Sequence, residues 1–199
     1  VKLIINIIFK IMNYNKLFKG EDKYITWIKD ALSELLETKK YMVMNNRELV
    51  TERNFCMVLV ALIYKNNYEE MERGLDGRPI FFSGEVSKVL YDINGKKVVQ
   101  PDFVIHQSNN PADGLKQLLI AEVKIKECSK DAYRRDIKKL SEYKRQLGFQ
   151  KALYIVINKK TEEIKSIALS TKDVELKDMC FMVVEDINNV TINTFYLDN

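Results

Sequence analysis

Leu118-Leu119-Ile120-Ala121-Glu122-Val123-Lys124-Ile125 begins as an unbroken apolar run and ends with two charges separated by a single valine. A short apolar run of this kind reads as a strand whose first half is buried on both faces. Side chains alternate along a strand, so Glu122 and Lys124 share one face and Val123 points to the other. From Ser129 to Leu147 the spacing turns helical. Tyr133, Ile137, Leu140 and Leu147 lie along one side with Tyr143 or Lys144, and Gly148 is placed to end the helix. Ala152 to Ile157 reads as a second buried strand. Strand, helix and strand make a βαβ unit, so the two strands are expected to be parallel, the sheet mixed and the fold class α/β.

Working outward, residues 21 to 40 place Ile25, Ile28, Leu32, Leu35 and Leu36 on one stripe of a docked amphipathic helix. A second helix is expected from Arg47 to Lys65, capped by Asn45 or Asn46; its run from Phe55 to Tyr64 is apolar almost all round, which suits a central, buried position. Between Ile80 and His106 the period changes to that of β-structure. Asn94-Gly95 predicts a hairpin there, with Pro101-Asp102 on its second strand. A polar loop runs from His106 to Gly114. After the βαβ unit, Glu162 to Ser170 reads as a short helix, Cys180 to Val184 as a strand and Val190 to Tyr196 as an edge strand.

With 199 residues, 46% of them hydrophobic, the chain is expected to form one domain over residues 21–199. Residues 1–20 read as an apolar leader or an upstream extension. The stretch from Val1 to Met12 is interrupted by Asn6 and Lys10 and is too short to span a bilayer; an edge strand or a leader helix are the alternatives. Lys plus Arg number 32 against 28 Asp plus Glu, a balance too even to argue by itself for a nucleic-acid partner. Cys56, Cys128 and Cys180 have no paired spacing, so neither a zinc site nor a disulfide framework is expected, and a reducing cytoplasm is the natural setting. No P-loop or glycine-rich nucleotide motif occurs, so any energy coupling would come from a partner chain.

The chemistry concentrates in three residues. Asp102 precedes Glu122 by twenty positions, and if their strands pair, Asp102, Glu122 and Lys124 meet at one sheet edge. Two carboxylates so placed repel, and one protonates unless a cation keeps both charged. Oxygen ligands of this kind suit magnesium. A lysine beside them can orient or deprotonate a water, or hold positive charge where a phosphate gains negative charge. The plain alternative for Glu122 and Lys124 is a same-face ion pair at a strand end.

Pro101-Asp102 followed by Glu122-Val123-Lys124, a helix and a buried strand resembles the PD-(D/E)XK nuclease superfamily. The resemblance implies a restriction-endonuclease-like core over about residues 45–160. It implies catalysis by Asp102, Glu122 and Lys124, with Mg2+ or Mn2+ held by Asp102, Glu122 and the Val123 backbone carbonyl. It also implies a further glutamate from an earlier helix, for which Glu52 matches better than Glu48, although a glutamate early in a helix also complements the helix dipole. The implied activity is metal-dependent cleavage of nucleic acid, most naturally by a DNA endonuclease or exonuclease in restriction, repair, recombination or mobile-element maintenance. Paired nicks in opposite strands would favour a homodimer.

The helix from Tyr133 to Arg145 carries Arg134, Arg135, Lys138, Lys139, Lys144 and Arg145 against Asp136 and Glu142. Such a face can follow a phosphate backbone, with Lys126 as a further contact, or can simply be solvated. Two other functions compete: a nucleic-acid-binding module that has lost cleavage, and a protein-interaction domain in which the motif is accidental.

Overall fold

The structure, a computed structural model, describes residues 23–39, 51–74, 77–84, 88–92, 95–107 and 116–197. The apolar leader, Glu48, the Asn45 and Asn46 caps and Asn94 of the hairpin turn lie outside them. The elements run α1 (Lys23–Lys39), α2 (Glu52–Arg73), β1 (Ile80–Gly84), β2 (Lys88–Asp92), β3 (Gly95–Val99), β4 (Phe103–Gln107), β5 (Lys116–Lys124), α3 (Lys130–Leu147), β6 (Lys151–Ile157), α4 (Thr161–Leu169), β7 (Met179–Val184) and β8 (Ile192–Tyr196).

Six strands form one mixed sheet in the order β1-β4-β5-β6-β7-β8. β5 and β6 are parallel, as the βαβ pattern predicts, β7 extends the parallel set, and β1, β4 and β8 join antiparallel. Strand alternation divides the core between the two faces. Phe103, Ala121, Val123, Ile155 and Met182 pack with Ile28, Leu32, Phe55 and Leu59 of α1 and α2. Val104, Ile120, Tyr154, Val156 and Phe181 pack with Tyr133, Ile137, Leu140 and Ile164 of α3 and α4. The fold is therefore α/β in three layers, and no described helix is long and apolar enough to cross a membrane.

Pairing of β4 with β5 passes from Ile105↔Leu119 to His106↔Gln117, which leaves Leu118 as the extra residue of a bulge. From Leu119 onward the alternation is regular, so Leu119, Ala121 and Val123 face α1 and α2 and Ile120 faces α3.

Three expectations are corrected. The hairpin of β2 and β3 ends at Val99 and forms a separate two-stranded sheet, so it does not carry Asp102. Asp102 instead directly precedes β4, a new strand that begins after Gln100-Pro101, because proline cannot donate to a ladder. The second helix begins at Glu52 rather than Arg47 and runs on to Arg73. Its N-cap is Thr51, whose hydroxyl accepts from Asn54 N at 3.1 Å. Nor is it buried all round: Met57 is 62% exposed, while Phe55, Leu59 and Ile63 face the sheet.

Midway along α2 the Tyr64 hydroxyl donates to the Phe82 carbonyl at 3.0 Å and accepts from Phe82 N at 3.1 Å, tying the helix to β1. Replacing Thr51 by alanine removes the cap directly before Glu52. It is expected to cost about 1 kcal/mol, or roughly 2–4 °C in the melting temperature, measurable by thermal unfolding; an unchanged midpoint would show that the cap contributes nothing.

α3 starts at the Ser129 cap, whose hydroxyl accepts from Ala132 N, and ends at Gly148 in the left-handed conformation with φ of 72°. That φ is what favours glycine there.

Candidate active site at the end of β4 and β5

β4 and β5 are antiparallel, so the start of one adjoins the end of the other. Asp102 N donates to Ala121 O at 3.1 Å, extending the ladder one step beyond β4. The Asp102 side chain then takes over from the main chain: its Oδ2 accepts from Val123 N at 2.6 Å. The carboxylate is thus fixed at the edge where Glu122 and Lys124 stand.

Glu122 is 7% exposed, and its Oε1 accepts no hydrogen bond. Lys139 Nζ, from α3, lies 2.9 Å from that oxygen as an ion pair, without the alignment of a hydrogen bond. Burial pushes the Asp102 carboxyl up to about 6; Glu52 raises it further, while the Val123 N–H, Lys139 and Lys124 pull the other way. Burial likewise pushes Glu122 up to about 7, with Asp102 adding to the rise and Lys139 opposing it. The carboxylates repel as their pairing implies, but loss of water is the larger cause in both.

Lys124 Nζ donates to Glu52 Oε2 at 3.1 Å and lies 3.6 Å from Asp136 Oδ2. Burial would lower the pKa of Lys124, but Asp136 and Glu52 outweigh it and the ammonium is held charged. Asp136 in turn accepts from the Tyr154 hydroxyl at 3.0 Å. Asp102, Glu122, Lys124 and Glu52 therefore gather at one end of the sheet, with Asp136, Lys139 and Tyr154 added by the fold. The Val123 side chain is buried against α1 and α2.

The residues expected on nucleic acid lie mostly at the surface. Lys126 is exposed just past β5, and Arg135 and Lys138 are exposed on α3. Arg134 is engaged by Asp131 at 2.9 Å and by Ser170 at 3.5 Å. The basic run on α3 is also less uniform than its composition implies. Lys144 is buried, donates to the Lys177 carbonyl and sits 3.8 Å from Glu175, so it belongs to the interior and not to a solvated face.

Sequence reasoning counted Asp136 and Lys139 only as members of the helix's charge run and did not connect Tyr154 to the site. Two signals were available. Asp136 neighbours Ile137 and lies one turn from Leu140, on the flank of the apolar stripe. Tyr154 is a hydroxyl inside an otherwise apolar strand, where a partner is required.

Among the described residues no three His, Cys, Asp or Glu side chains come together as a ready metal cluster. The pair of Asp102 and Glu122, two buried carboxyls side by side, nonetheless has the donor chemistry of a hard divalent cation site, with the Lys139 ammonium now 2.9 Å from Glu122 Oε1. Comparison with known proteins finds no matching family model, no matching curated protein and no matching solved structure.

Proposed function

We propose that this chain hydrolyses phosphodiester bonds of nucleic acid, with DNA the favoured substrate, on a restriction-endonuclease-like core, using Mg2+ or Mn2+ held by Asp102 and Glu122. The observation that carries the reading is the meeting of Asp102, Glu122 and Lys124 at one strand end, the aspartate clamped by Val123 N. When bound, the divalent ion would supply positive charge that polarises the phosphate and favours ionisation of the attacking water.

The chain's own residues would do the rest. Asp102 is oriented by its 2.6 Å hydrogen bond, so little reorganisation is needed when charge develops. Lys124, held charged between Glu52 and Asp136, would place an ammonium beside the phosphate as it gains negative charge. In the proposed step water oxygen would bond to phosphorus and give up a proton to solvent, while the bond to the leaving oxygen breaks and that oxygen takes up a proton from solvent. The exposed Lys126, Arg135 and Lys138 remain available for the phosphate backbone. The Lys139–Glu122 ion pair supports a second reading, a nucleic-acid-binding module in which a lysine replaces the ion.

The test is a panel of supercoiled, linear, branched and single-stranded nucleic acids, incubated with Mg2+, with Mn2+ and with chelator. Metal-dependent cutting is expected, and Lys124→Ala should lower its rate by about 10²–10³-fold. Salt-dependent binding without cutting would favour the binding module. Neither cutting nor binding would overturn both readings.

A further inference from the structure

Tyr154 lies in the middle of β6 and is fully buried, between Leu153 and Ile155. It is the register partner of Glu122 on β5. Its hydroxyl donates to Asp136 Oδ2 at 3.0 Å, and the same oxygen lies 3.6 Å from Lys124 Nζ. Burial, and then the Asp136 carboxylate, hold the phenol far above its usual range, so at working pH it remains a donor.

The pair stands on elements separate from the lysine it meets: Tyr154 on β6, Asp136 on α3 and Lys124 on β5. A lysine side chain is a flexible four-carbon stem, and holding its ammonium in one place requires contacts from more than one direction. Glu52 supplies one such contact, from the first turn of α2. Asp136 supplies the other, and its side chain is only 18% exposed. Since Tyr154, on the sheet face that α3 covers, donates to the carboxylate, Asp136 cannot turn away from Lys124 without leaving a buried hydroxyl unpaired.

We propose that Tyr154 and Asp136 are positioning residues, a hydrogen-bonded pair that holds the Lys124 ammonium at the carboxylate edge in the orientation that hydrolysis needs. The catalytic half of this inference rests on the nuclease reading; the holding of Lys124 does not.

Two measurements separate the halves. In protein labelled with 15N at lysine, the Lys124 ammonium signal, assigned by its loss in Lys124→Arg, should be observed in the wild type. It should be broadened away in both Asp136→Asn and Tyr154→Phe. In cleavage assays kcat should fall about 10-fold for Tyr154→Phe and about 100-fold for Asp136→Asn, with KM within about twofold, because misplacement of a charge affects the transition state and not uniform binding.

Persistence of the signal in both variants overturns the proposal whatever the cleavage result. Loss of the signal with unchanged kcat overturns its catalytic half. If the wild type cuts nothing, the nuclease reading fails, and the ammonium signal still decides whether the pair holds Lys124.

Discussion

Asp102→Ala is expected, on the proposed nuclease reading, to lower metal-dependent cleavage by at least about 10³-fold, because the charge stabilisation lost with a metal ligand amounts to several kcal/mol and each 1.36 kcal/mol is tenfold in rate. The effect on folding should be far smaller. Removing the carboxylate leaves Val123 N without its 2.6 Å acceptor, a loss of about 1–3 kcal/mol for a buried donor. It also removes a carboxyl whose ionised form is disfavoured by burial, and this offsets part of the loss at neutral pH. Asp102→Asn separates the two effects, since it keeps an oxygen acceptor for Val123 N and loses the charge. It should fold as the wild type does and still fail to cut. A rate above roughly one tenth of wild type in Asp102→Asn, on the scale set by removal of a ligand charge, would exclude Asp102 from the reaction.

The second large effect is on stability as a function of pH. Asp102 is raised from 3.8 to about 6 and Glu122 from 4.5 to about 7 in the folded protein. Folding therefore takes up protons between the unfolded and folded values. The associated stability is fully present below about pH 4, where both states are protonated, and is lost as pH rises through 6 and 7.

At 1.36 kcal/mol per unit, with part of the loss already complete by pH 5 and two groups that repel and so do not add fully, the metal-free protein should lose about 2–4 kcal/mol between pH 5 and pH 8.5. That corresponds to roughly 10 °C in the melting temperature of a chain this size. Mg2+ requires the ionised carboxyls, so the stabilisation it brings should be greater at pH 8 than at pH 5.5. Thermal scans in chelator and in Mg2+ at both values check this. The double variant Asp102→Asn/Glu122→Gln should flatten the slope; an equal slope in that variant would place its cause elsewhere.

What could be read from the sequence followed how local the signal was. Ser129, Gly148 and the stripe of Tyr133, Ile137 and Leu140 define α3 within its own residues, and the structure places it from Lys130 to Leu147. β5 and β6 were legible as apolar runs because both are covered on both faces. The break before Asp102 was not legible as a change of strand, since Val98, Val99, Phe103 and Val104 share one β-forming character and only tertiary pairing assigns them to different sheets. The end of α2 was missed for a related reason. Asn66 to Arg73 is polar except for Tyr68 and Met71, and of the two only Met71 is buried, so no stripe announces the last two turns. Of the candidate site, Glu122 and Lys124 could be placed together by alternation alone. Their contacts with Lys139 and Asp136 depend on how α3 lies across the sheet, which no spacing within the chain encodes.

The double hydrogen bond between Tyr64 and the Phe82 backbone pins α2 to the first strand of the sheet. Glu52 lies twelve residues from Tyr64, about 18 Å along the helix axis, so a tilt of about 5° at the pin would carry the glutamate through about 1.5 Å. That travel is about half the 3.1 Å separating Glu52 from Lys124. A phenol bonded to the sheet's first strand thus shares, with the buried Phe55 and Leu59 between them, in fixing a carboxylate it never touches.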